Sequence, residues 1–249
     1  MMAIGLLIIG DEILSGRRQD KHVAQSIQTL SAMQLKLDWV RMVGDDTEHL
    51  IAMLSEIKAS GDICFSFGGI GATPDDLTRA CVAKAHGVNL VRHPDAVAAI
   101  EGRFGEEAYP NRIIMAELPE GSSIIPNPVN QVPGFSLGNL HCFPGFPEMA
   151  WPMQSWVLET YYASLPKNLA IEDSVHVYNT HESDLMDWMY QFEAENPSLQ
   201  LFSLPRIMED GSRRIELGVK GEKRQVAEAI ESIKAMLDAQ QRKYSLPKS

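Results

Sequence analysis

The sequence predicts an α/β protein in two parts: a large unit built on a mostly parallel sheet, then a small C-terminal βαββα unit. Three observations carry that prediction. Short β-rich runs alternate with amphipathic stretches through the first half, glycine-and-acid clusters fall directly after two of the runs, and the order of elements changes after "ASLPKN" at 163–168. Strand and helix alternating at these intervals imply right-handed crossovers and parallel pairing.

"AIGLLII" at 3–9 is a continuous apolar run, the pattern of a strand covered on both faces. Val23, Ile27, Leu30 and Met33 recur at helical spacing, and "LDWVRMV" at 37–43 reads as a strand. Leu50, Ile51, Leu54 and Ile57 mark a second helix, and "DICFSF" at 62–67 a third strand. A further helix is expected to begin near Pro74 or Asp75. From about 105 to 150, Pro and Gly accumulate and periodicity weakens, which predicts ordered loops around one or two short strands such as "LGNLHCF". "EMAWPMQSWVLETYY" then resumes a helical pattern. These readings place the first unit at 1–163.

The second unit is expected over 168–245. "SVHVYNT" reads as a strand, and "ESDLMDWMYQFEAEN" as a helix with Leu185, Trp188, Met189 and Phe192 on one face. "LQLFSL" and "RRIELGVK" form a strand pair turning at "EDGS", and 222–240 is a closing helix. Internal repeats and low-complexity tracts are absent from the sequence.

Composition narrows the classes of function. The chain has 249 residues, 45% hydrophobic and 22% charged, with a formal net charge of −11. It is long enough to bury a substantial core, it has no apolar run of bilayer length, and its acidic balance with no long run of basic residues argues against a nucleic-acid partner. The start "MMAIGLLIIGDE" lacks a basic n-region and reads as a buried strand rather than a signal peptide. Cys64, Cys81 and Cys142 are odd in number and set among apolar residues, which favours free thiols and a cytoplasmic location. The histidines show no HExxH or close pair, so zinc is not expected, and no Walker lysine, GxSxG elbow or kinase signature is present.

The chemistry concentrates in "GGIGATPDD" after the third strand and "GDEILSG" after the first. Both lie where ligand loops of parallel sheets lie, at the carboxyl ends of strands. Gly68, Gly69 and Gly71 let backbone amides approach an anion, with Thr73 and Thr78 as added hydroxyl donors and a helix N-terminus behind them. The alternative reading is a plain strand-to-helix turn with Asp75 as the N-cap. Two adjacent acids, Asp75 and Asp76, exceed what a cap needs. With Asp11 and Glu12 across the crevice, and Asp45 in "VGDD", they could hold a hard divalent cation that shares a ligand's phosphate. Asp45 and Asp46 in "VGDDT" form a third such acid pair, with Asp46 or Thr47 as a plain cap of the next helix the alternative.

"GGIGATPDDLT" resembles the GGxGxTxxDxT signature of the MoaB/Mog molybdopterin-binding fold. With "GDEILSG", "VGDD", "MAELPEGSSIIPN", "PGF" and "FPGFPEM" in order, and "THESDLMDWM" at the start of a helix in the small unit, the chain resembles the amino-terminal region of the CinA family over nearly its whole length. The resemblance implies a three-layer MoaB/Mog-like domain. It also implies metal-dependent cleavage of ADP-ribose or a similar dinucleotide at its pyrophosphate, with Mg, Mn or Co as the cation. Molybdopterin binding or adenylyl transfer is the alternative activity, and non-enzymatic ligand binding or assembly a third. Asp76 matches the family's key acid and Asp45 its acid after the second strand, and these two are the expected catalytic residues. Asp76, Asp45 and Asp11 are the expected metal ligands.

Gly10, Gly134, Pro144, Gly145, Pro147 and Glu148 complete the implied ligand site. The chain departs from the usual pattern at His22, Phe67, Ala72 and Asn130, and it reaches Ser249 without the deamidase domain of full-length CinA proteins, so that activity is not expected of it. The ligand is expected to be a small nucleotide or pterin, with neither nucleic acid nor membrane as a partner. Related folds assemble, and Trp151, Trp156, Tyr161 and Tyr162 offer apolar surface, so a homo-oligomer is expected.

Overall fold

Strand β1 (Ile4–Ile9) is buried at every position because its two faces serve two separate cores. Leu7 and Ile9 enter one with Leu50, Leu54, Val82 and Ile100, while Leu6 and Ile8 enter the other with Leu30, Met153 and Val157. That division makes three layers. The computed structural model describes residues 2–247 of the chain, which divides into two units, Met1–Lys167 and Asn168–Ser249.

In the first unit, β1 is followed by the short α1 (Asp11–Leu14), α2 (His22–Ala32), β2 (Trp39–Val43), α3 (Thr47–Ser60), β3 (Ile63–Phe67) and α4 (Thr78–His86). Next come β4 (Leu90–Arg92), α5 (Pro94–Phe104), β5 (Glu117–Pro119), β6 (Ser123–Ile125), β7 (Gly134–Leu137), β8 (Leu140–Phe143) and α6 (Pro147–Tyr161). The main sheet runs β2-β1-β3-β8-β7-β6. The β2–β1, β1–β3 and β3–β8 pairs are parallel, and β8–β7 and β7–β6 antiparallel. β4 and β5 form a separate two-stranded sheet.

The proline- and glycine-rich stretch is more regular than its sequence suggests. It holds β5 to β8 and two 3-10 turns, Gly105–Ala108 and Arg112–Ala116. "LGNLHCF" is not one strand: Gly138 and Asn139 form the corner of the β7–β8 hairpin, with Leu137 paired to Leu140. Strands of three or four residues leave too few alternations for a period to register.

Trp151 and Trp156 pack partly buried against the second core, and Tyr162 is buried, so most of the aromatic surface behind the expectation of an oligomer fills the interior. The three cysteines are buried free thiols.

The second unit contains β9 (Ile171–Tyr178), a 3-10 turn at Glu182–Asp184, α7 (Met186–Glu195), β10 (Gln200–Ile207), β11 (Arg213–Gly221), α8 (Lys223–Ala239) and β12 (Tyr244–Ser245). Its antiparallel sheet runs β10-β11-β9-β12. Leu185 and Phe192 join Val175, Ile215, Leu217 and Ile233 in its core, with Trp188 and Met189 packed against them. The edge strand β12 adds to the expected βαββα order. No helix among the described residues is long and apolar enough to cross a membrane.

Candidate functional site

β3 delivers the glycine loop to the end of the sheet. Gly68 and Gly69 have φ of 109° and 66°, conformations that side chains disfavour. The Gly68 N–H is used by Phe143 O at 3.0 Å, so it is not part of an anion cradle as the sequence suggested. The next four amides, of Gly69, Ile70, Gly71 and Ala72, donate to no protein acceptor among the described residues. Successive unspent N–H groups in such a loop make a concavity suited to an anion.

The helix behind the loop starts later than expected. α4 begins at Thr78 with Leu77 in the N-cap position and no side-chain cap, so Asp75 is not the cap. Asp76 instead closes the turn before it, its Oδ2 accepting from the Thr73 N–H at 2.9 Å and the Thr73 hydroxyl at 2.6 Å. Gly71 is needed beside that turn, since a Cβ there would sit 2.5 Å from Asp76 Oδ2.

Thr73 and Thr78 are therefore not spare donors for a ligand. The fully buried Thr78 hydroxyl donates to Gly68 O at 2.9 Å. A short side chain bonding the backbone of its own turn is a common alternative to ligand contact.

A cleft of about 520 Å³ opens over this loop, a volume within the range of small-molecule sites. It collects most of the expected residues: Gly10, Glu12, Asp45, Gly68, Gly69, Gly71, Thr73, Asp75, Asp76, Pro144 and Gly145. Asp11, Thr78, Gly134, Pro147 and Glu148 do not line it. Asp11 turns to Asp45 instead: each carboxylate accepts the other's backbone N–H, at 3.0 and 3.2 Å.

Gly134 is a buried strand residue whose Cβ would meet Cys142 O at 2.4 Å, so its place follows from packing. Pro147 and Glu148 form the first turn of α6 rather than the closing loop, which ends at Phe146. Asp46 caps α3 through the His49 N–H at 2.9 Å, as one of the two sequence readings had it.

Sequence reasoning missed the cations and the apolar part of the lining. Arg18 and Arg112 both line the cleft, as do Phe104, Met115, Phe146 and Met149. Arg112 lies over the Phe104 ring at 4.6 Å and pairs with Glu107 Oε2 at 2.8 Å. Arg18 follows "GDEILSG" closely enough to have been included with it. Arg112 lies in the stretch without periodicity, where no local signal could place it.

Two of the departures from the family pattern are partners. His22 stacks on Phe67 with ring centroids 4.4 Å apart, and His22 Nε2 lies 3.3 Å from Gly145 O. Burial holds this imidazole below its ordinary pKa. The other two departures, Ala72 and Asn130, line the cleft.

Burial pushes the Asp45 carboxyl up from its ordinary value, opposed by the Asp11 N–H it accepts and reinforced by the charges of Asp11, Glu12 and Asp75. Among the described residues no three His, Cys, Asp or Glu side chains form a metal-binding group, so the three-carboxylate set of Asp11, Asp45 and Asp76 is not assembled.

Residues 5–163 match the family described as "Probable molybdopterin binding domain", and the chain belongs to that family. It is similar to a CinA-like protein of Desulfosudis oleivorans, 33% identical over 210 residues, covering 80% of this chain and 51% of that protein. A protein of Pyrobaculum calidifontis is 27% identical over 212 residues, covering 82% of this chain and 81% of that one. The crystal structure of "the protein CinA with unknown function" from Thermoplasma acidophilum superposes with a TM-score of 0.58 at 27% identity, covering 63% of this chain and 96% of that one. The chain spans about half the length of the first CinA-like relatives it matches.

Proposed function

We propose that the cleft binds a diphosphate-bearing nucleotide, ADP-ribose or a similar dinucleotide, and hydrolyses its phosphoanhydride with a divalent cation. The observation that carries this reading is the run of four unspent amides, Gly69 to Ala72, in a cleft that also holds carboxylates and arginines. The amides donate to non-bridging phosphate oxygens, and Arg18 and Arg112 add positive charge within the same cleft.

In this reading Asp45 and Asp76 are the carboxylates given to the cation. Asp45 and Asp76 each commit Oδ2 to the bonds described above, and among the described residues neither Oδ1 accepts a hydrogen bond. Two carboxylates suffice for an ion of the Mg type, which keeps several waters and shares substrate phosphate. When bound, such a cation offsets phosphoryl charge and lowers the pKa of water.

Purified protein is incubated with ADP-ribose, FAD or NADH and a panel of divalent metals, and the products are separated by nucleotide chromatography. AMP release that depends on metal is the expected result. Intact substrate under every metal overturns the hydrolytic reading.

A second reading, binding of a pterin without hydrolysis, is supported by the family's description and by the apolar lining at Phe104, Met115 and Met149. Co-purification of a pterin with intact dinucleotides in that assay would favour it.

A further inference from the structure

Arg79 is the second residue of α4 and is only 6% exposed. Its Nη2 donates to Gly71 O at 2.6 Å, and its Nη1 donates to Ile114 O at 2.5 Å and Glu117 O at 3.1 Å. The carboxylates of Asp76 and Glu117 act on it through space, yet among the described residues neither carboxylate is a hydrogen-bond partner and Nε has none. The guanidinium is thus a buried charge bonded only to neutral carbonyls. Such a charge is unfavourable by itself and is offset when an anion comes near.

Its three bonds also join two parts of the cleft. Gly71 belongs to the amide run, while Ile114 and Glu117 flank Met115 and follow Arg112, both of which line the cleft. No other side-chain hydrogen bond among the described residues ties the 69–72 run to that segment.

We propose that Arg79 is the positioning residue of the amide cradle: it fixes Gly69 to Ala72 against the segment at 112–117 and sets a buried positive charge beside the anion they bind. The inference rests on the reading that the cradle takes a phosphate. Lysine in its place retains charge but lacks the planar fork that reaches three carbonyls at once. Methionine removes the charge as well.

The test uses inorganic pyrophosphate as the probe, with calorimetric titration of the full chain, melting curves, and amide hydrogen exchange at Thr73 and Thr78, the hydrogen-bonded amides that hold the two ends of the run. Arg79→Lys is expected to bind pyrophosphate about tenfold more weakly than the parent, the loss of one or two charge-assisted bonds. Its Thr73 and Thr78 amides are expected to exchange faster while the rest of the unit keeps its protection. Arg79→Met, where it folds, is expected to bind more weakly still, while the ionic-strength dependence carried by Arg18 and Arg112 in the cleft is largely kept.

Equal pyrophosphate affinity in the parent and Arg79→Lys overturns the proposal. If the parent itself binds no pyrophosphate, the phosphate reading fails instead. The exchange data then decide the positioning role alone: unchanged exchange at Thr73 and Thr78 in Arg79→Lys overturns it, and faster exchange confined to those residues supports it.

Discussion

Asp11 and Asp45 hold one another by reciprocal bonds, the Asp11 N–H donating to Asp45 Oδ2 at 3.0 Å and the Asp45 N–H to Asp11 Oδ1 at 3.2 Å. The exchange joins the turn after β1 to the turn after β2, and it keeps two like charges side by side. Gly44 makes room for it, since a Cβ there would lie 2.3 Å from Asp11 Oδ1. Asp11 is thereby a support for Asp45 rather than a residue of the cleft lining.

Replacing Asp11 separates the bond from the charge. Asp11→Ala removes the acceptor for the Asp45 N–H and is expected to cost about 1 kcal/mol in urea unfolding, less than is usual for a charged acceptor because the site is exposed. Asp11→Asn keeps an acceptor, relieves the repulsion, and is expected to be close to neutral. Either change removes one of the charges that raise Asp45, so its carboxyl, followed by NMR, should titrate nearer its ordinary value. An Asn variant as unstable as the Ala variant would show that the hydrogen bond is not what matters there.

Asp76 and Asp75 should separate in the opposite way from a cap and its neighbour. Asp76→Ala releases both bonds from Thr73 and is expected to loosen the turn before α4. Asp76→Asn preserves an acceptor and the fold. If Asp76 serves the hydrolysis proposed above, AMP release should fall roughly a hundredfold or more while nucleotide binding survives. Asp75, which does not cap the helix, should be the milder site for the same substitution. Full AMP release in a folded Asp76→Asn protein would remove Asp76 from the reaction.

The sheet and the place of the cleft were legible because they depend on local pattern. The apolar run of β1, the helical spacing of Leu50, Leu54 and Ile57, and the glycines after β3 each report on a short window of sequence. What escaped depends on contacts between distant windows. Arg79 bonds residues 35 and 38 positions away, His22 meets Gly145 across 123 positions, and Asp11 meets Asp45 across 34. The same limit explains the errors of role. Thr73, Thr78 and Gly134 carry the residue types a ligand site would use, but neighbouring backbone and side-chain atoms already occupy their donors or their space.

Thr78 offers a direct check of that reassignment. Its hydroxyl is fully buried and donates to Gly68 O at 2.9 Å, so Thr78→Val leaves a buried carbonyl without that donor at nearly constant shape. The expected loss of stability is about 1–3 kcal/mol, and Thr78→Ser should recover most of it. A hydroxyl that served only as a ligand donor would leave the melting midpoint of Thr78→Val unchanged.

His141 should govern part of the acid sensitivity. It is 2% exposed on β8, with Nδ1 at 2.7 Å from Ser136 Oγ and Nε2 at 2.7 Å from Tyr162 OH. A neutral ring satisfies both hydroxyls, one nitrogen donating and the other accepting. Burial lowers its pKa from 6.5 to about 4. Because the folded value lies below the unfolded one, the unfolded chain takes up this proton first as pH falls. The stabilisation is therefore complete above pH 6.5 and is lost progressively as pH falls from 6.5 toward about 4. Across that window the shift corresponds to about 3 kcal/mol. His141→Gln, which has no titrating ring, is expected to start less stable at neutral pH and to lose less on acidification, so the gap between the two proteins should narrow by about 2 kcal/mol or more by about pH 4.5. Urea unfolding at a series of pH values measures that gap directly, and parallel curves for the two proteins would mean that His141 is not held neutral by the fold.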